Sequence, residues 1–343
     1  MKKTFLKGMS IEQLVAWCEQ QGETKYRGQQ IFEWMYRHGV FCSKEMNNLN
    51  HAFRSFIHEN CIIRTLELKK SYKSQLDETT KFLFKTKNGQ LIETISMIDG
   101  KRHTVCLSSQ VGCALQCSFC KTGEKGLIEN LNTGEIVDQL ILVREYIPKQ
   151  ITNVVFMGMG EPFHNYKNVI NSSKIFHDPR GFNLAADRIT ISTVGILTKI
   201  KQYIKENHRY KLAISLNASK NSTRSEIMPI NKKWPLEELV KLGKLYSQHK
   251  RRQIMFEYVL LKGINDSQEN AYELAALLKG IPCKLNIIPY NKTDSYFDRP
   301  DNENIQKFSK ILFELRDQYR VLIRWSKGQD INAGCGQLAG EKY

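Results

Sequence analysis

Cys113-Ala-Leu-Gln-Cys117-Ser-Phe-Cys120 carries three thiols at a C-x3-C-x2-C spacing, close enough for one tight loop to hold a single polynuclear metal centre. A closed structural zinc site takes four protein ligands, usually as two separated pairs. Ferredoxin-type clusters use four cysteines at other spacings. Three ligands on a four-iron cluster would leave one iron open to a small molecule. The competing reading is a zinc site completed by His103 or Cys106.

Outward from this loop the chain alternates strand and helix. Runs at 103–109, 153–157, 188–193, 211–217, 254–261 and 284–290 read as strands, with amphipathic helices between them, for example at 133–146, 169–177 and 268–278. A further strand-like run follows at 321–325. Six βα units predict an α/β fold with a parallel sheet and right-handed crossovers. They are too few for a closed eight-stranded barrel, so a partial (β/α)6 TIM-like barrel is expected, with a doubly wound sheet as competitor. Both place ligands at the C-terminal ends of the strands.

The unusual residues fall at those ends. The cysteine loop follows the first strand and Gly158-Met-Gly160-Glu161-Pro162 the second. Ser192 ends the third, Ser215-Leu216-Asn217 the fourth, and Asn291 follows the sixth. Glycines at 158 and 160 are expected to let backbone approach a ligand, and Glu161 to meet an ammonium group. The serines and asparagines supply neutral hydrogen bonds.

Before the barrel, residues 9–60 read as a helical unit. Ser10 caps its first helix, a second spans about 27–37 and a third about 44–58. This is a packed cap, or its Lys25-Tyr-Arg-Gly28 stretch touches a nucleic-acid backbone. Residues 66–97 turn to β, with Asn88-Gly89 as a hairpin signal and Glu93 on the return strand, where alternation places it in solvent. The domain plan is therefore an accessory unit at 1–62, a β-hairpin extension at 63–100, the barrel at 101–326 and a C-terminal loop at 327–343. The basic segment Thr223–Asn231 and Lys232-Lys233-Trp234 looks exposed, suited to a phosphate beside the mouth. Cys335, between Gly334 and Gly336, is expected on a mobile loop with an accessible thiol. Cys106 stands near enough to Cys113 to face the same cavity.

Composition sets limits. Lys plus Arg exceed Asp plus Glu by 51 − 35 = 16 in 343 residues, which favours a polyanionic partner. No stretch has the apolar length of a signal peptide or a membrane span, so no membrane association and a cytoplasmic, reducing location are expected. Nine cysteines are then metal-binding, catalytic or buried. There is no P-loop, dinucleotide fingerprint or HExxH, which excludes the nucleotide hydrolases, dinucleotide oxidoreductases and zincins marked by them.

The run from Cys106 through Cys120 to Gly123, the Gly-Met-Gly-Glu-Pro, Met228-Pro-Ile-Asn231 and Cys335-Gly-Gln-Leu together resemble the RlmN/Cfr family of radical S-adenosylmethionine (SAM) methyltransferases. These act on an adenosine of 23S ribosomal RNA. The resemblance runs along nearly the whole chain and implies a barrel of the radical SAM type. It implies that Cys113, Cys117 and Cys120 ligate a [4Fe-4S] cluster, and that Gly160, Glu161, Ser192, Ser215, Leu216, Asn217 and Asn291 contact SAM. Cys335 would accept a methyl group from one SAM, and a 5′-deoxyadenosyl radical from a second would activate it, two per turnover. Cys106 would resolve the protein–RNA adduct through a disulfide with Cys335, and Glu93 would accept a proton. Val111, Ala114-Leu115 and Pro162 resemble the branch that methylates carbon 2 rather than carbon 8. That branch also modifies a tRNA adenosine. A flavodoxin or ferredoxin donor is implied, and a monomer is expected. One position departs: Asn217 stands where the family usually has His.

Overall fold

The computed structural model describes residues 3–248 and 252–340. In chain order the elements are β1 (Thr4–Phe5), α1 (Ile11–Gln20), α2 (Lys25–Phe32), α3 (His51–Asn60), β2 (Cys61–Ile62), β3 (Leu66–Lys73), β4 (Thr79–Thr86), β5 (Leu91–Asp99), β6 (Arg102–Cys106) and β7 (Gln110–Gly112). Then come α4 (Lys121–Glu124), β8 (Leu127–Asn130), α5 (Thr133–Tyr146), β9 (Asn153–Phe156), α6 (Tyr166–His177), β10 (Ile189–Thr193), α7 (Leu197–Lys205) and β11 (Lys211–Ser215). The chain closes with α8 (Asn221–Ile227), α9 (Leu236–Gln248), β12 (Ile254–Leu260), α10 (Gln268–Leu278), β13 (Cys283–Pro289), α11 (Asn302–Glu314) and β14 (Arg320–Ile323).

One ten-stranded sheet runs β14-β13-β12-β11-β10-β9-β6-β5-β4-β3. From β6 to β14 every pairing is parallel, and from β6 to β3 every pairing is antiparallel. The parallel part is the expected partial barrel, with β14 as its last strand. Its central strands are buried on both sides, with all five residues of β10 and six of the seven of β13 buried. The hairpin β4–β5 turns at Asn88-Gly89, where Gly89 has φ +85. With β3 it extends the barrel sheet without a break.

The N-terminal helices differ in extent from the sequence pattern. The Lys25-Tyr-Arg-Gly28 stretch lies inside α2 rather than between helices, and Gly28 packs against the α1 backbone. Past Phe32 the chain continues as a π-helical turn to His38, closed by Gly39 at φ +76. The third helix starts at His51, because the Asn50 side chain accepts the Phe53 N–H at 2.8 Å and caps it there. Lys7 and Asp138 join this unit to α5 through a buried ion pair at 3.3 Å. Asp138 also accepts the Thr65 N–H and hydroxyl, so the charge is well satisfied. Among the described residues no helix is long and apolar enough to cross a membrane.

Candidate functional site

At the outlet of β6 the chain is fixed by buried polar contacts. The Gln139 side chain on α5 accepts the Ser108 N–H at 2.8 Å and donates to the Ser108 carbonyl at 2.9 Å. The Ser108 hydroxyl accepts the Met159 N–H at 3.0 Å, and Ser109 N–H donates to the Met159 carbonyl. The outlets of β6 and β9 are thus sewn together. A Cβ at Gly158 would meet the Leu107 carbonyl at 2.7 Å, and one at Gly160 (φ +93) the Gln110 side chain at 2.4 Å. These glycines admit the protein's own neighbouring loop, where the sequence suggested a ligand.

The three-cysteine loop is closed at its base by Gly112, whose φ of +74 and contact with the Gly126 carbonyl leave no room for a side chain. Cys113 N–H donates to Gly126 at 2.9 Å, Cys120 N–H to Cys117 at 3.0 Å, and Ser118 N–H to Ile227 at 3.0 Å. Burial pushes the Cys113 thiol up to about 12 and raises the Cys117 thiol well above its ordinary range, and the thiols' charges add to both shifts. Cys120 is raised by burial too, against hydrogen bonds from the start of α4. Three half-buried thiols that feel one another fit a cationic iron–sulfur centre, which deprotonates its ligands on binding. Among the described residues no three His, Cys, Asp or Glu side chains converge on a single ion. His103, the alternative zinc ligand, has its ring bonded to the Ser96 hydroxyl at 2.8 Å and the Lys149 carbonyl at 3.1 Å.

Beside this loop lies Glu161, buried, its carboxylate accepting N–H groups of Phe163 and Val194, each at 2.9 Å. Burial raises it to about 7 against those bonds. An ammonium group at that carboxylate would restore its charge. Ser192 donates to Glu257 at 3.2 Å, and Glu257 also meets Arg324 at 3.4 Å. The Ser215 and Leu216 carbonyls accept from Arg224 at 3.0 and 2.8 Å. Asn217, at φ +58, turns its side chain inward, accepting Val259 N–H and touching the Met228 sulfur. Asn291 donates to the Cys335 carbonyl at 3.1 Å.

The segment expected to be an exposed phosphate contact is exposed only in part: Glu226, Pro229, Lys232 and Lys233 are exposed, but its arginine is interior. Arg224 is fully buried, and Ile227, Met228 and Asn231 are buried with it. The guanidinium donates to Leu216, Ser215, Val194 and Asn231, all uncharged acceptors. Burial lowers its pKa to about 10 and the nearby Cys117 raises it, so this cation faces the cysteine loop. Nothing in the sequence marks it apart from the neighbouring Met228-Pro-Ile-Asn231.

The described part of the C-terminal loop, up to Gly340, is anchored, where its glycines suggested mobility. Lys121 N–H donates to Gly336 at 2.8 Å, the Thr122 hydroxyl to Leu338, and the Lys125 ammonium to Ala339 at 3.1 Å. Glu93 is buried, not solvent-facing. It accepts the Ala339 and Gly340 N–H groups at 2.7 and 3.1 Å, and its other oxygen lies 3.3 Å from the Lys81 ammonium. So held, Cys335 alone among the described cysteines is exposed, while Cys106 is buried at the end of β6. Burial pushes Cys106 up to about 12, and the Cys335 charge adds to the shift. Arg324 lowers and Glu257 raises both thiols, so all four groups share one environment. Sequence reasoning missed Glu257, whose signal was a carboxylate in the apolar run of β12.

Comparison with known proteins converges on one family. Residues 4–63 match the model of the ribosomal RNA large subunit methyltransferase N-terminal domain, and residues 107–275 that of the radical SAM superfamily. The chain is 40% identical over 330 residues to a probable dual-specificity RNA methyltransferase RlmN of Pseudothermotoga lettingae, covering 96% of each chain. It is also 40% identical to the dual-specificity RNA methyltransferase RlmN of Desulfotalea psychrophila, over 99% of this chain and 96% of that one. The crystal structure of a radical SAM methyltransferase from Sphaerobacter thermophilus superposes with a TM-score of 0.94 at 39% identity, covering 98% of this chain and all of that one.

Proposed function

The chain belongs to the RlmN family of radical SAM RNA methyltransferases, and from that premise we propose that it methylates carbon 2 of a specific adenosine in 23S rRNA and of an adenosine beside a tRNA anticodon. One observation supports the residue roles: the Cys335 loop is docked on the three-cysteine loop, with Lys121 N–H, next to Cys120, donating to Gly336 at 2.8 Å and Asn291 donating to the Cys335 carbonyl at 3.1 Å. An aromatic carbon of adenine is too weak a nucleophile for direct methyl transfer from SAM, which is why a radical route in a closed site is needed.

In this reading Cys113, Cys117 and Cys120 hold a [4Fe-4S] cluster. When bound, that cluster supplies the single electron on which radical SAM chemistry depends. Glu161 receives the SAM ammonium, and Gly160, Ser192, Ser215, Leu216, Asn217 and Asn291 shape the rest of its site. Two SAM molecules serve each turnover, one charging the Cys335 sulfur with methyl and one activating that methyl. The backbone bonds to Glu93, Thr122 and Asn291 hold the charged sulfur in place. Cys106 then attacks the Cys335 sulfur, forming a disulfide as the sulfur–carbon bond to the RNA breaks; that carbon takes the electron pair and a proton to complete the methyl group, and Glu93, beside Lys81, takes up the proton released from adenine. A flavodoxin or ferredoxin donates the electrons, and the protein works as a cytoplasmic monomer.

The test is mass spectrometry of nucleosides from protein-free large-subunit RNA and tRNA after anaerobic incubation with reconstituted protein, SAM and reductant. The expected product is 2-methyladenosine. An 8-methyladenosine product would overturn the carbon assignment. SAM cleavage without any methylated adenosine would overturn the RNA reading.

A further inference from the structure

We propose that the cavity beside the Cys335 loop is a second RNA subsite, which takes the phosphate and base of the nucleotide next to the target adenosine. This rests on the RNA-methyltransferase reading. The cavity measures about 440 Å³, within the roughly 300–1,000 Å³ of small-ligand sites. Asn291 lines it and also holds the Cys335 carbonyl, so the cavity begins one side chain away from the reacting sulfur. A nucleotide adjoining one presented to Cys335 would reach it without further chain.

The lining suits a nucleotide. Lys121 and Lys292 face it, paired with Asp294 at 2.9 Å and Asp298 at 2.5 Å, all on the surface. Arg299 lines it as well, and its guanidinium has no carboxylate partner among the described residues. Instead it lies 5.5 Å from the centre of the Trp325 ring. Trp325 is 46% exposed, so part of the ring beside Arg299 is open to a ligand. A cation over a bare aromatic ring is the pairing that single-stranded nucleic acid uses, with phosphate on the cation and base on the ring.

The variants Arg299→Gln and Trp325→Ala test this on an RNA fragment carrying the adenosine that the wild type methylates. Each is expected to raise KM for RNA on the order of tenfold and leave kcat unchanged. Arg299→Gln should also make the log–log salt dependence of binding shallower by roughly 0.7–0.9, the loss of one phosphate contact, whereas Trp325→Ala should leave it unchanged. Unaltered KM and salt slope in both variants would overturn the subsite. So would a KM effect accompanied by lost iron or a lowered melting temperature, which would assign these residues to the fold. A wild type that methylates no adenosine would instead overturn the underlying function.

Discussion

Cys106 and Cys335 differ in exposure. Cys106 ends a buried strand and is held protonated by burial, whereas Cys335 is exposed on a loop pinned at both sides. That division suits one thiol that carries a group to substrate and another that reacts only when the first is brought against it. Cys335→Ala is expected to abolish methylation, a loss of roughly 10³-fold or more as for other nucleophile deletions, with iron content and RNA binding intact. Cys106→Ala is expected to accumulate covalent protein–RNA adduct, seen as a shifted band on a denaturing gel. Wild-type turnover by the first variant, or no shifted band with the second, would remove that cysteine from the mechanism. Arg224 shows what residue type alone conceals. An arginine among Thr, Ser, Glu and Lys reads as surface, yet this one is buried because four uncharged acceptors surround it.

Helix α5 ties the site to the rest of the fold. Its Gln139 fixes the β6 outlet, its Asp138 receives Lys7, and Asn132 with Glu135 forms its capping box. Burial raises Glu135 from the ordinary carboxylate range to about 7, with Glu129 and Asp138 adding and the Asn132 N–H opposing. The folded state therefore binds more protons than the unfolded chain between about pH 4.5 and 7, and stability falls as pH rises through that window. Glutamine caps as well as glutamate and carries no charge. Glu135→Gln is expected to unfold at higher urea than wild type at pH 8, by up to about 3 kcal/mol. The advantage should vanish near pH 5, and a pH-independent difference would refute the account. The capping box of α5 was not read from the sequence, but the extent of the helix was legible there. The anchoring of the C-terminal loop was not, because it uses backbone groups that carry no residue signature.

For the molecule as a whole, the excess of sixteen positive charges makes RNA association electrostatic. The binding constant for large-subunit RNA is expected to fall with salt at a log–log slope of roughly −0.7 to −0.9 per phosphate contact, giving a total of several units. A flat response would separate the charge from RNA binding. The accessory helices and the barrel are linked through the Lys7–Asp138 pair and through β3–β5 in the barrel sheet.

The sequence by itself determined the α/β class, the run of parallel strands, the cluster loop and the pair of distant cysteines, because periodicity, spacing and residue chemistry are local properties. Only the tertiary structure decided that Glu93 and Arg224 are buried, that the 158–160 glycines serve contact between loops, and that the glycine-flanked Cys335 loop is held rather than free. Each of these depends on which segments, far apart in the chain, are brought together. Burial and hydrogen-bond partnership belong to that assembled neighbourhood, and no single stretch of the chain contains it.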